Sequence, residues 1–208
     1  MVALSSKKRV SVQQYLASEP QAEFRSEYWN GEIVAMAGGS PAHNRILRNL
    51  TRRLGNQLDG SVCEPYASET RVRVPECNAY FYTDALIVCE GALLDDGLTE
   101  TVLNPTVIVE ILSPTTESAD RGRKFACYRT VSSLLLYVLI QQDAPAVDVY
   151  ARQADARWLL TALTGMESTL ALETVGVSLP FSEIYQGVEF PPHLAISDDE
   201  VSEVSPDA

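Results

Sequence analysis

Val107-Ile108-Val109-Glu110-Ile111-Leu112 is a continuously apolar run broken by a single carboxylate. Short, β-branched and ended by Ser113-Pro114-Thr115-Thr116, it predicts a central strand buried on both faces. Tyr82-Thr83-Asp84-Ala85-Leu86-Ile87-Val88 repeats the pattern, again with one acid inside an apolar run. A lone charge there costs several kcal/mol unless a metal, a proton or a partner compensates it. Two such strands side by side would hold Asp84 and Glu110 together as ligands for a hard divalent cation.

Around these runs the chain alternates between strand and helix signals. Upstream, Val12 to Ser18 predicts a short helix, and Phe24 to Trp29 with Glu32 to Ala37 predicts a hairpin turning at Asn30-Gly31 in a type I′ geometry. Ser40-Pro41 is a helix start, hydroxyl as N-cap and proline at the first helical position. That helix runs to about Leu58. Leu47, Leu50, Leu54 and Leu58 mark its packed face, and Arg45, Arg48 and Arg52 share a cationic stripe. Strands are expected around Val62 to Tyr66, Glu69 to Val74 and, unbroken, Tyr80 to Cys89. Arg71 and Arg73 alternate with apolar residues and so point to one side of the sheet. After Ser113-Pro114 a helix is expected from about Ser118 to Val131, with Asp120, Lys124 and Tyr128 at four-residue intervals on one face. Leu134 to Ile140 reads as a buried strand, followed by a hairpin of Ala146 to Ala151 and Arg157 to Leu163. The expected architecture is α/β, a mixed twisted sheet flanked by helices.

The chain has 208 residues, enough for one sizeable core. Its net charge of −12 argues against a permanent coat of nucleic acid. Six of the acids lie from Glu189 onward, with no Lys or Arg among them. The expected division is therefore one domain over residues 1–188 and an acidic, disordered tail over 189–208. Cys63, Cys77, Cys89 and Cys127 show no metal-binding spacing and are expected as reduced, structural thiols in a cytoplasm. Met1 to Val10 is polar and basic, which predicts no cleavable leader, and no apolar run is long enough to span a membrane.

The pattern resembles the Uma-type restriction endonuclease family, a branch of the PD-(D/E)XK nuclease superfamily. The resemblance rests on Asn30-Gly31-Glu32, Pro41-Ala42-His43-Asn44, Tyr82-Thr83-Asp84, the block from Val109-Glu110-Ile111-Leu112-Ser113-Pro114 through Asp120-Arg121-Gly122-Arg123-Lys124 to Tyr128-Arg129, and the closing Leu179-Pro180-Phe181-Ser182-Glu183-Ile184-Tyr185. It implies a restriction-endonuclease-like fold and hydrolysis of DNA by a Mg²⁺- or Mn²⁺-dependent endonuclease. Asp84 and Glu110 would be metal ligands with the Ile111 carbonyl as a third, and Glu32 would complete the site. Two positions depart from the signature: Thr83 stands for its proline and Leu112 for its lysine, a part that the resemblance transfers to Lys124. His43, Arg45, Arg48, Arg52, Arg71 and Arg73 are the candidate nucleic-acid contacts. A homodimer is a further expectation. The alternative is a nuclease fold without turnover, acting as an interaction module for nucleic acid or protein.

Overall fold

The computed structural model describes residues 9–36 and 38–191. The expected strand end at Ala37, the segment Met1 to Lys8 and the tail from residue 192 lie outside the described residues.

Two six-stranded sheets stack face to face. The first has the order β2-β1-β5-β4-β8-β7 and contains β1 (Ser26–Trp29), β2 (Glu32–Ala35), β4 (Arg71–Val74), β5 (Ala79–Tyr82), β7 (Leu94–Asp95) and β8 (Leu98–Val102). The second has the order β12-β11-β10-β9-β6-β3 and contains β3 (Cys63–Ala67), β6 (Ala85–Cys89), β9 (Val107–Leu112), β10 (Leu136–Gln141), β11 (Ala146–Arg152) and β12 (Trp158–Thr164). A small hairpin, β13 (Thr169–Leu172) with β14 (Val177–Pro180), stands apart from both. The architecture is thus mixed α/β, but with two large sheets where one was expected.

The expected strand from Tyr80 to Cys89 is the point of departure. It divides into β5 and β6, which belong to different sheets, and the chain crosses between them at Thr83-Asp84. An acid placed in a crossover need not enter either core.

Helix α2 (Pro41–Leu58) begins as its sequence requires, with the Ser40 hydroxyl accepting from the His43 N–H at 3.0 Å. Its apolar face, Ile46, Leu50, Leu54 and Leu58, packs on the side of the second sheet that presents Ala85, Ile87, Val107, Val109 and Ile111. Each such fully buried Leu or Ile contributes roughly 1.5–3 kcal/mol of transfer free energy. Alternation along β9 sends Ile108, Glu110 and Leu112 to the other side, toward the first sheet. There Ile108 and Leu112 meet Val72, Phe81, Tyr128 and Tyr137 in a second core. Leu112, at the position of the signature lysine, is a core residue. A third cluster, Tyr15, Tyr28 and Tyr80, lies where α1 (Val12–Ser18) covers the first sheet.

At the hairpin turn Asn30 and Gly31 take φ of 45° and 92°, the left-handed values a type I′ turn demands of both central residues. The helix after β9 is continuous from 117 to 128. It comprises α3 (Glu117–Ala119), a π-helical stretch Asp120–Lys124 and α4 (Phe125–Tyr128).

The cysteines correct the sequence reading. None of the four is free: Cys63 is bonded to Cys89 across the partnered strands β3 and β6, and Cys77, just after β4, is bonded to Cys127 in α4. Such pairs are made by tertiary approach, which spacing alone does not reveal. No helix among the described residues is long and apolar enough to cross a membrane.

Candidate active site

Strands β6 and β9 run antiparallel with Ala85 opposite Val109 and Leu86 opposite Ile108. One step further along this register brings Asp84 opposite Glu110, on the same face, where the ladder ends. The Asp84 N–H donates to Glu110 Oε2 at 3.4 Å, and Asp84 Oδ2 accepts from the Ile111 N–H at 2.7 Å. A strand residue directs its N–H and C=O to the same side, so the Ile111 carbonyl leans toward Asp84 as well. The sequence-derived pair is therefore brought together with its expected carbonyl alongside.

Lys124 reaches the pair from the helix. Its Nζ lies 2.7 Å from Glu110 Oε1, 3.0 Å from Glu27 Oε1 and 3.1 Å from Asp120 Oδ1, and donates to the Tyr82 carbonyl at 3.4 Å. Asp120 and Lys124 face inward together at the two ends of the π-helical stretch, both buried. The Tyr128 hydroxyl donates to Glu110 Oε1 at 3.2 Å, and the Tyr137 hydroxyl donates to the Asp120 carbonyl at 3.0 Å. Glu110 is thus held by Tyr128 and Lys124 of the helix, while Tyr137 of β10 fixes the Asp120 backbone.

The charges do not balance. Glu27, Glu110 and Asp120 gather around one ammonium, and Asp84 adds a fourth carboxylate beside Glu110. Burial raises the Glu110 carboxyl well above the usual range, and the nearby Asp120 and Asp84 add to it against the pull of Lys124. Burial pulls Lys124 downward, but Glu110 foremost, with Tyr128, Glu27 and Asp120, leaves it well above the ordinary lysine value. Both shifts run the same way: each group holds its proton more tightly than it would in water.

His43, at the start of α2, stands on the other side of Asp84 with Nε2 3.1 Å from Oδ1. Burial lowers its imidazole pKa, and the Asp84 carboxylate more than offsets that, so the net shift is upward. Its Nδ1 is buried without a partner. A cleft of about 480 Å³ opens over these groups, lined by Glu27, His43, Asp84, Glu110, Lys124 and Arg123 among others. The Arg123 guanidinium lies 5.3 Å over the Trp29 ring, and that of Arg25 5.3 Å over Tyr82, both at the cleft wall.

The other candidates lie elsewhere. Glu32 is exposed at the start of β2, opposite Trp29, and does not line the cleft; the acid of this hairpin that does is Glu27 on the partner strand. The arginine stripe of α2 is turned to the C-terminal segment. Arg45 bonds the Gly187 carbonyl, Arg52 donates to Gln186 Oε1 at 3.4 Å, and Arg48 reaches only its neighbour Asn49, at 3.2 Å. Arg71 is buried beneath α1, paired with Glu100 and close to the Tyr15, Tyr80 and Tyr82 rings. Arg73 is held over Tyr80, with its Nε 3.6 Å from Asp95. None of these five arginines lines the cleft: Arg71 and Arg73 lie under other elements of the chain, and the α2 stripe faces solvent and the C-terminal segment instead. Of the candidate nucleic-acid contacts, His43 alone is at the cleft.

Sequence reasoning missed Glu27, Arg25 and Arg123 as cleft residues. The alternation Arg25, Glu27, Trp29 along and just before β1 was the available signal for the first two, since Ser26 and Tyr28 between them are buried.

The profile of the Uma2 family, described as "Putative restriction endonuclease", matches residues 12–182. Two uncharacterized proteins of Synechocystis sp. are similar along most of their length. One is 36% identical over 165 residues, 79% of this chain and 93% of its own. The other is 32% identical over 182 residues, 88% of this chain and 94% of its own. The crystal structure of "a putative nuclease belonging to DUF820" from Anabaena variabilis superposes with a TM-score of 0.70 at 15% identity, covering 85% of this chain and 98% of that one. The likeness to that structure is one of fold.

Proposed function

Because the chain belongs to the Uma2 family, we propose that its cleft is that of a Mg²⁺- or Mn²⁺-dependent endonuclease hydrolysing DNA phosphodiester bonds. The observation that carries this reading is the gathering of three carboxylates, Glu27, Glu110 and Asp120, around the ammonium of Lys124, with Asp84 beside Glu110 on the adjacent strand at the open end of the sheet.

Among the described residues no three His, Cys, Asp or Glu side chains are spaced to hold a metal by themselves. The donor set nevertheless fits Mg²⁺, which takes one or two carboxylates and keeps several waters. Asp84, Glu110 and the Ile111 carbonyl would hold the ion, and the surplus of negative charge favours it. When bound, such an ion supplies a water of lowered pKa and neutralises charge on the phosphate.

The chain's own groups have separable tasks. Lys124 Nζ presents an ammonium to the phosphate oxygen on which charge grows during attack, a stabilisation that needs no reorganisation because three carboxylates already fix its position. His43 orients Asp84 through Oδ1, and Tyr128 orients Glu110 through Oε1. Arg25 and Arg123 offer guanidinium groups to phosphates flanking the scissile one. With Leu112 inside the core, the amine comes from the helix and not from the strand.

The test is cleavage of supercoiled plasmid with Mn²⁺. Wild type is expected to nick or linearise it, and Asp84→Ala, Glu110→Ala and Lys124→Ala to lose at least about a hundredfold in rate, as removal of a preorganised electrostatic group does. Isothermal titration of Mn²⁺ should give a binding signal that Asp84→Ala abolishes. Equal activity in all four proteins, or absence of both cleavage and metal binding in wild type, removes the hydrolytic reading and leaves the fold as an interaction module.

A further inference from the structure

The edges of the two large sheets differ in how they are protected. At the far end of the second sheet β3 carries Glu64 and Pro65, which block further pairing. In the first sheet β2 is four residues long and carries Glu32, while β7 is two residues long, carries Asp95 and is irregular in register. Short length, charge, proline and bulges are the means by which sheets avoid pairing with another chain.

Strand β12, Trp158-Leu159-Leu160-Thr161-Ala162-Leu163-Thr164, has none of them. It is seven residues long, pairs regularly with β11 along its whole length and contains no charge and no proline. Leu159 and Leu160 are 56% and 49% exposed. The orientation of its backbone can be worked out. Gln153 N–H bonds the Arg157 carbonyl and Gly165 N–H bonds the Pro145 carbonyl, both at 2.8 Å, so residues 157 and 165 direct their backbone groups toward β11. Alternation then turns 159, 161 and 163 inward, and turns Leu160 and Ala162 outward to the free edge. Among the described residues neither of these two has a backbone partner on that side.

We infer that β12 is a docking edge for a second copy of this chain, paired antiparallel about a two-fold axis at Thr161. The sequence is self-complementary in that register. Leu160 and Ala162, both outward, exchange hydrogen bonds with Ala162 and Leu160 of the other copy, and Leu159 meets Leu163. The seam brings no ionic group against another, although each chain carries a net charge of −12. A partner of other chemistry would find no charge or pocket on this strand to read. A two-fold pairing is the closed arrangement that uses the same edge twice and leaves it covered. The inference does not depend on the hydrolytic reading of the cleft.

Analytical ultracentrifugation of the full chain tests it. Wild type should sediment at twice 22.8 kDa, and Ala162→Pro at the monomer mass with an unchanged circular dichroism spectrum. Proline there removes an outward N–H and leaves the bonds to β11 in place. A second pair of variants reads the register independently. Thr161→Cys meets its own copy at a non-hydrogen-bonded position, where Cα atoms approach to about 4.5 Å, and should form a covalent dimer on oxidation. Leu159→Cys, displaced from its copy by four residues, should not. A monomeric wild type at micromolar concentration, an Ala162→Pro protein that remains dimeric, or equal cross-linking of both cysteine variants overturns the inference.

Discussion

Replacing Lys124 by Met removes one positive charge from a site that holds three carboxylates within 3.1 Å of it, the lysine side chain being only 7% exposed. The apolar stem is retained, so the loss is electrostatic. Breaking a buried ion pair by removing one partner costs about 3–5 kcal/mol. For a domain of this size each kcal/mol moves the melting temperature by roughly 2–4 °C, so a fall of about 6–20 °C at pH 7 is expected. The pH dependence follows from the direction of the shifts. Lys124 is raised above its unfolded value, so its contribution is complete below about pH 10.4 and undiminished at neutrality; it is lost only as pH rises through the folded pKa. Glu110 is also raised, so its contribution is present below about pH 4.3 and is lost as pH rises through its higher folded value. Acidification from pH 7 should therefore narrow the gap between variant and wild type, as the orphaned carboxylates take up protons. Differential scanning calorimetry at pH 7 and pH 5 measures both quantities. A Lys124→Met protein that melts within about 2 °C of wild type at pH 7, less than 1 kcal/mol on this scale, would refute the claim that the ammonium holds this cluster together.

Four further outcomes are expected from contacts already described. In the plasmid assay Glu27→Ala should lose most activity while Glu32→Ala stays within about twofold of wild type, a difference under 1 kcal/mol in barrier, because only the first touches Lys124. Tyr128→Phe removes the hydroxyl that Glu110 accepts and should cost about 1.5–3 kcal/mol in urea denaturation, the range for a bond to a charged group. Burial, then the hydrogen bond to Asp95, pushes Tyr80 up to about 12, so its stabilisation is present below pH 10 and lost as pH rises toward 12; absorbance at 295 nm should show fewer than the nine tyrosines ionising before the fold melts. Cys77→Ser opens a crosslink spanning 50 residues and should lower stability by about 4 kcal/mol in urea under non-reducing conditions, by the loop-entropy relation.

Much of the local structure was legible because it depends on local chemistry. Ser40-Pro41 began a helix, Asn30-Gly31 turned a hairpin, and the apolar run around Glu110 was a central strand. What periodicity cannot report is which layer lies on a given face. Arg71 and Arg73 point to one side of the sheet as alternation requires, but that side is roofed by Tyr15 of α1, and Arg71 stays inside. The α2 arginines are likewise solvated or tied to residues 186–187, a segment more than a hundred positions away. The hairpin carries two acids, Glu27 and Glu32, and the resemblance points to the one at the turn; register with the neighbouring strands places the other at the cleft. The run from Tyr80 to Cys89 reads as one strand since nothing in its composition marks the crossing at Thr83-Asp84, and yet that crossing is what frees Asp84 to face a cleft. The family resemblance points to Lys124, and the interval to Asp120 and Tyr128 sets all three on one side of a helix, where the structure keeps them.

The bond between Cys77 and Cys127 closes a covalent ring, and Asp84, Glu110 and Lys124 all lie on its circumference. A protease that severs one peptide link between positions 78 and 126 would turn that ring into an open arc without releasing any of the three. Nicked molecules should keep their full mass on a denaturing gel until a reductant is added, and the two acids and the amine would travel as one covalent unit through an injury that ordinarily divides a chain.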